Sequence, residues 1–142
     1  MPYPALAKTS LNFAEVASPQ TFEQDPSLGW GFYGHRLDLY RRTVPHAGFE
    51  LLRQWGESMF FGARVFTSNV DGQFQKAGFT EDQTHECHGS IHQLQCMNGC
   101  GSGVWRTDSF EPEVDAKKLW LDKFATTMPA MWSSRPSKCV DV

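Results

Sequence analysis

The chain has 142 residues with 13 basic and 16 acidic side chains, a net charge of −3 and no basic cluster, which sets aside nucleic acid and anionic membrane surfaces as default partners. That length suits one domain with a real core. No apolar run approaches the roughly 20 residues of a membrane span, and the opening Met1, Pro2, Tyr3 starts no secretory pattern, so the expected compartment is cytoplasmic. In that setting Cys87, Cys96, Cys100 and Cys139 read as metal ligands or free thiols before disulfides. Aromatics make up 13% of the chain, five of them Trp, more than a small core readily houses; some are expected to meet a larger body of protein.

Residues 1–18 show no sustained period, and with Pro2, Pro4 and Pro19 nearby they read as loop with a helical turn or two. From Pro26 to Arg42, Leu28, Trp30, Phe32, Tyr33, Leu37, Leu39 and Tyr40 recur at helical spacing, with Asp25 placed as the N-cap. Pro45 closes that segment. His46–Glu57 reads as a second, amphipathic helix with Phe49, Leu52 and Trp55 on one stripe. Ala63–Thr67 reads as a short buried strand, Val70–Ala77 as two helical turns closed by Gly78, and Thr84–Cys87 and Ile91–Gln95 as further strands. A glycine-rich run from Cys96 to Gly103 follows. Alternating helix and strand predicts an α/β fold with a parallel sheet and crossover helices.

Three constellations carry chemistry. Thr67, Ser68, Asn69, Val70, Asp71 and Gly72 put polar groups where a strand opens into a helix, the edge at which α/β sheets hold ligands. Asn69 can donate and accept toward a ribose or carboxamide, and Asp71 can accept from hydroxyls or an amide; each can equally serve as a helix cap. Glu86, Cys87, His88, Gly89 and Ser90 place a histidine on a strand-end loop, suited to general-base work near neutrality. His85 and His92 lie close by, and spacing alone does not choose among the three. Cys96 and Cys100 have the separation of half a tetrahedral zinc site, with two reduced thiols as the equal alternative. Trp30, Phe32 and Tyr33 read as core.

In that order, these residues resemble the sirtuin family of NAD-dependent protein-lysine deacylases. The family's T-Q-N-I-D-G-L-H element is similar to Thr67–Phe74, with Ser68 in place of Gln, and its A-G follows at Ala77 and Gly78. Its E-x-H-G-S element matches Glu86, His88, Gly89 and Ser90, and Cys96 with Cys100 opens its zinc module, spaced one residue wider than the common form. Pro45 and His46 match the start of the family's preceding helix. The resemblance covers residues 20–105 and implies a partial Rossmann-like sheet with part of a small structural zinc module. It implies His88 as the base that takes a proton from the NAD ribose, with Thr67, Asn69 and Asp71 lining the nicotinamide-ribose pocket. The substrate would be an acetylated protein or peptide, and the products deacetylated lysine, nicotinamide and O-acetyl-ADP-ribose.

The family's G-A-G-x-S segment, which cradles the pyrophosphate at a helix start, its R-P-x-x-V-x-F-G-E strand, its G-T-S element and its second zinc pair are not found in these residues. The expected organisation is one partial domain: 20–95 Rossmann-like, 96–115 an incomplete zinc module, 116–142 a tail unlike the family. Read one base later, the codons of Met128, Met131 and Trp132 become Cys, Cys and Gly, a forced C-x-x-C-G, and Pro136–Asp141 permits R-P-N-V-L-M. The last 20 or so residues are therefore expected to be a frameshifted translation. On this reading the chain alone has little or no deacylase activity, and an open sheet edge with apolar helix faces favours aggregation. The alternatives are a non-catalytic remnant of the fold and a zinc-dependent interaction module.

Overall fold

A computed structural model gives the fold and describes residues 12–96, 103–108 and 114. These residues divide into two compact units, one running up to Asp38 and resuming at Leu94, the other Leu39–Gln93.

In the first unit Asn12 starts α1 (Phe13–Val16) with a capping box: its side-chain oxygen accepts the Glu15 N–H at 3.0 Å, and the Glu15 carboxylate accepts the Asn12 N–H at 2.7 Å. Pro19 is tolerated because it sits at the first position of α2 (Pro19–Gln24). Asp25 caps α3 (Pro26–Arg42) as its position predicts, its carboxylate accepting the Leu28 N–H at 3.0 Å. The aromatic stripe is core. Trp30 and Phe32 are buried, and Phe22 meets Trp30 edge-on at 5.6 Å and stacks on Tyr33 at 5.3 Å. Gly29 allows this, since a Cβ there would lie 2.8 Å from the Phe22 ring. Burial lifts the Tyr33 phenol above its ordinary pKa, with the Arg36 charge acting against it.

The second unit holds α4 (Ala47–Ser58), β1 (Val65–Thr67), α5 (Gln73–Lys76), a 3-10 turn (Glu81–Gln83) and β2 (Thr84–Glu86). His46 caps α4, its Nδ1 accepting the Gly48 N–H at 3.1 Å. β1 and β2 pair in parallel, Val65 opposite Thr84, Phe66 opposite His85 and Thr67 opposite Glu86, so the predicted α/β pattern with a parallel sheet is present. An aromatic train Phe49–Phe74–Phe79, edge-on at 4.9 and 5.4 Å, packs α4 against α5 and the turn beyond it.

Two elements differ from expectation. The helix expected over Val70–Ala77 begins only at Gln73, because Gly72 is left-handed at φ 67° and no right-handed helix runs through that conformation. The strand expected at Ile91–Gln95 is shorter, β3 (Gln93–Gln95), and pairs with β4 (Val104–Arg106) rather than joining β1 and β2.

Candidate active site

The parallel register decides what comes together. Thr67 ends β1 opposite Glu86 at the end of β2, so the loops carrying Asn69 and His88 leave the same carboxyl edge of the sheet, where open α/β sheets take ligands. Three bonds knit these loops. The Cys87 N–H donates to the Thr67 carbonyl at 3.0 Å, the Ile91 N–H to the Val70 carbonyl at 2.9 Å, and His92 Nε2 lies 3.1 Å from the Asp71 carbonyl oxygen. Gly89, left-handed at φ 73°, turns the chain after His88 and donates to the Glu86 carbonyl at 3.0 Å.

Within this frame the site residues separate. Thr67 Oγ1 accepts the Asn69 N–H at 3.0 Å, holding the start of the loop. Asp71 caps: its carboxylate accepts the Gln73 N–H at 3.1 Å. Asn69 is exposed, and its side-chain amide has no partner among the described residues. Of the three histidines, His85 stacks on Phe66 at 5.2 Å and His92 is tied to Asp71. His88 is exposed, its ring without a partner among the described residues. Behind the loops the Glu86 carboxyl titrates above its ordinary value; burial is the main cause, a hydrogen bond with Gln75 opposes it, and nearby Glu81 and Asp71 reinforce it.

Sequence reasoning missed Gln73 as a structural residue. It is only 5% exposed, its amide nitrogen donating to the Tyr40 carbonyl at 3.2 Å while its amide oxygen has no partner among the described residues. Its helical period gives no sign of this, because the partner lies 33 residues away.

Cys96 is a half-buried free thiol and Cys87 an exposed one; Cys100 lies outside the described residues, as does the tail on which the frameshift expectation rests. Among the described residues no three His, Cys, Asp or Glu side chains gather as a metal site. No described helix is long and apolar enough to cross a membrane.

A protein-family profile described as "Sir2 family" matches residues 7–133, wider at both ends than the stretch carrying the motifs. The chain belongs to the Sir2 family. Among curated relatives it is 31% identical to an "NAD-dependent protein deacylase" of Aquifex aeolicus, over 72% of this chain and 41% of that protein. It is 36% identical to "NAD-dependent protein deacylase 2" of Pyrobaculum aerophilum, over 62% of this chain and 34% of that one. It is 32% identical to "NAD-dependent protein deacylase sirtuin-5, mitochondrial" of Danio rerio, over 61% of this chain and 28% of that protein. The Sir2-family chain thus spans about two fifths or less of these relatives' lengths.

Proposed function

We propose that this Sir2-family chain carries the nicotinamide-ribose half of an NAD-dependent protein-lysine deacylase site. The observation that supports the reading is the β1–β2 register, which sends the Asn69 and His88 loops from one sheet edge with both side chains unpartnered among the described residues. A free primary amide suits the nicotinamide carboxamide or a ribose hydroxyl. Asp71 and Thr67 shape the turn that presents it. The acetyl-lysine oxygen bonds to the ribose carbon as the bond to nicotinamide breaks. His88 then takes the proton of the ribose hydroxyl that attacks the acyl carbon, so that lysine leaves as the amine. The substrates are NAD and an acetylated protein or peptide, and the working compartment is the cytoplasm.

Pyrophosphate recognition calls for backbone N–H groups at a glycine-rich helix start, a motif not found in these 142 residues. The isolated chain is therefore proposed to bind NAD weakly and to turn over little or no acetyl-lysine peptide. An NAD-dependent deacylation assay checks this: nicotinamide release at an ordinary enzymatic rate contradicts the impairment. Calorimetry showing no heat across millimolar NAD favours the non-catalytic remnant instead.

Residues 20–95 form the Rossmann-like part, and Cys96 with Cys100 forms half of a structural zinc site. The other half belongs to the offset frame, where Met128 and Met131 become cysteines. Resequencing the DNA across codons 115–142 tests this directly: one extra or missing base is expected, and a reading frame found intact across those codons contradicts it. Metal content after dialysis tests the zinc itself, with less than one zinc per chain expected as translated and stoichiometric zinc after frame correction.

A further inference from the structure

The loop after His88 and the turn after Asn69 are joined by a side chain that neither motif uses. His92 Nε2 lies 3.1 Å from the Asp71 carbonyl oxygen. The same ring rests against Gly72, where an added Cβ would come within 2.9 Å of His92 Cδ2 and 3.0 Å of Nε2. The ring is itself aimed: the His92 N–H donates to Ser90 Oγ at 3.3 Å, and the preceding Ile91 N–H donates to the Val70 carbonyl at 2.9 Å. Two consecutive residues of one loop thus grip two consecutive residues of the other, Ile91 through its backbone and His92 through its imidazole.

We propose that His92 is a positioning residue: its Nε2–H clasps the Asp71 carbonyl over Gly72 and fixes the Asn69–Asp71 turn relative to the His88 loop. A carbonyl oxygen only accepts, so the bond requires the proton on Nε2 and selects that tautomer of the neutral ring. With the Asp71 carbonyl held on one side and its carboxylate occupied by the Gln73 N–H at 3.1 Å on the other, the peptide planes of the turn have little freedom, and the amide of Asn69 is presented in one direction. Preorganisation of this kind lowers the ordering cost of binding. The ligand-facing purpose of the clasp rests on the functional reading above; the clasp itself does not.

The test compares the 142-residue chain with His92→Phe, which keeps a ring over Gly72 without a donor, and His92→Gln, which keeps a donor at similar reach without the ring. Hydrogen exchange at the Gln73 and Ile91 amides reads the clasp. His92→Phe is expected to exchange about fivefold to tenfold faster at both, while His92→Gln stays close to the parent; a space-filling role predicts the reverse order. In the parent chain the imidazole nitrogen spectrum is expected to show the Nε2–H tautomer. Unchanged protection in His92→Phe, or His92 in the Nδ1–H form, overturns the proposal, and the imidazole spectrum decides alone if a variant fails to fold. In an NAD titration followed by NMR, His92→Phe is expected to weaken the response of the Asn69 side-chain amide about fivefold to tenfold. An undiminished response overturns the orienting role. No response to NAD in the parent overturns the functional reading, and the orienting role with it, leaving the exchange data to judge the clasp.

Discussion

Asn69 and Asp71 stand two residues apart and divide two duties that their residue types make equally available. Asp71 caps, with its carboxylate on the Gln73 N–H, whereas the Asn69 side chain is unpartnered among the described residues. The sequence makes both legible as candidates but not the division, which depends on the left-handed turn at Gly72. Gly72→Ala incurs both a left-handed conformation and a clash with His92, whereas Gly62, at φ 68°, has nothing within 4 Å of an added Cβ. Gly62→Ala is expected to cost about 1 kcal/mol in urea unfolding and Gly72→Ala about 2–3 kcal/mol; equal costs contradict the His92 contact. Glu86 supplies a pH signature. Its folded-state pKa is raised by burial, so folding favours the protonated carboxyl, and Glu86 costs stability as pH rises from its ordinary value near 4.5 through the folded value. Glu86→Gln is expected to raise Tm near neutral pH and to match the parent at about pH 4. A difference in Tm that is the same at both pH values contradicts the buried-carboxylate account.

Elements were legible where local chemistry sets them and illegible where distant residues do. The start of α3 could be read from Asp25 and Pro26, because an Asx cap and a first-turn proline act within one turn. Its end could be read only as Pro45 stopping a helix. The structure closes it through Lys76, whose ammonium donates to the carbonyls of Tyr40 at 3.2 Å, Arg41 at 2.8 Å and Thr43 at 2.6 Å. Carbonyls in the last turn of a helix lack the intrahelical N–H that earlier ones accept, the Tyr40 carbonyl also takes the Gln73 amide, and a cation there suits the helix dipole. Lys76→Met is expected to lower stability by about 1–2 kcal/mol in urea unfolding, and Lys76→Arg to recover part of it; a neutral Lys76→Met contradicts the capping role. β3 shows the limit from the other side. Ile91–Gln95 could be read as a strand, but the partner β4 lies across the glycine-rich run, and no local pattern reports that pairing.

For the whole molecule, the aromatic excess in the composition does correspond to surface. Phe60 and Phe61 are 94% and 92% exposed, Phe66 on the sheet 75%, and Leu51, Leu52, Trp55 and Met59 are exposed with them. The predicted stripe of α4 therefore sets a half-buried Phe49 against Phe74 while Leu52 and Trp55 face out. Exposed apolar surface on this scale drives association. The isolated chain is expected to sediment with a concentration-dependent mass, reduced by replacing Phe60 and Phe61 with Ser; a monomer across the accessible concentrations contradicts this. Family membership was legible because two motifs lie in order within a short span, and the parallel register sends the loops that carry Asn69 and His88 from one edge. The central claim is that this edge receives the nicotinamide-ribose end of NAD, and the most direct test is a 1H–15N NMR titration of the 142-residue chain with NAD. The account predicts shifts at millimolar NAD concentrated on the Asn69 side-chain amide, Asp71 and the His88 loop, and abolished by Asn69→Ala; saturating NAD that leaves those resonances in place, or moves others instead, contradicts it.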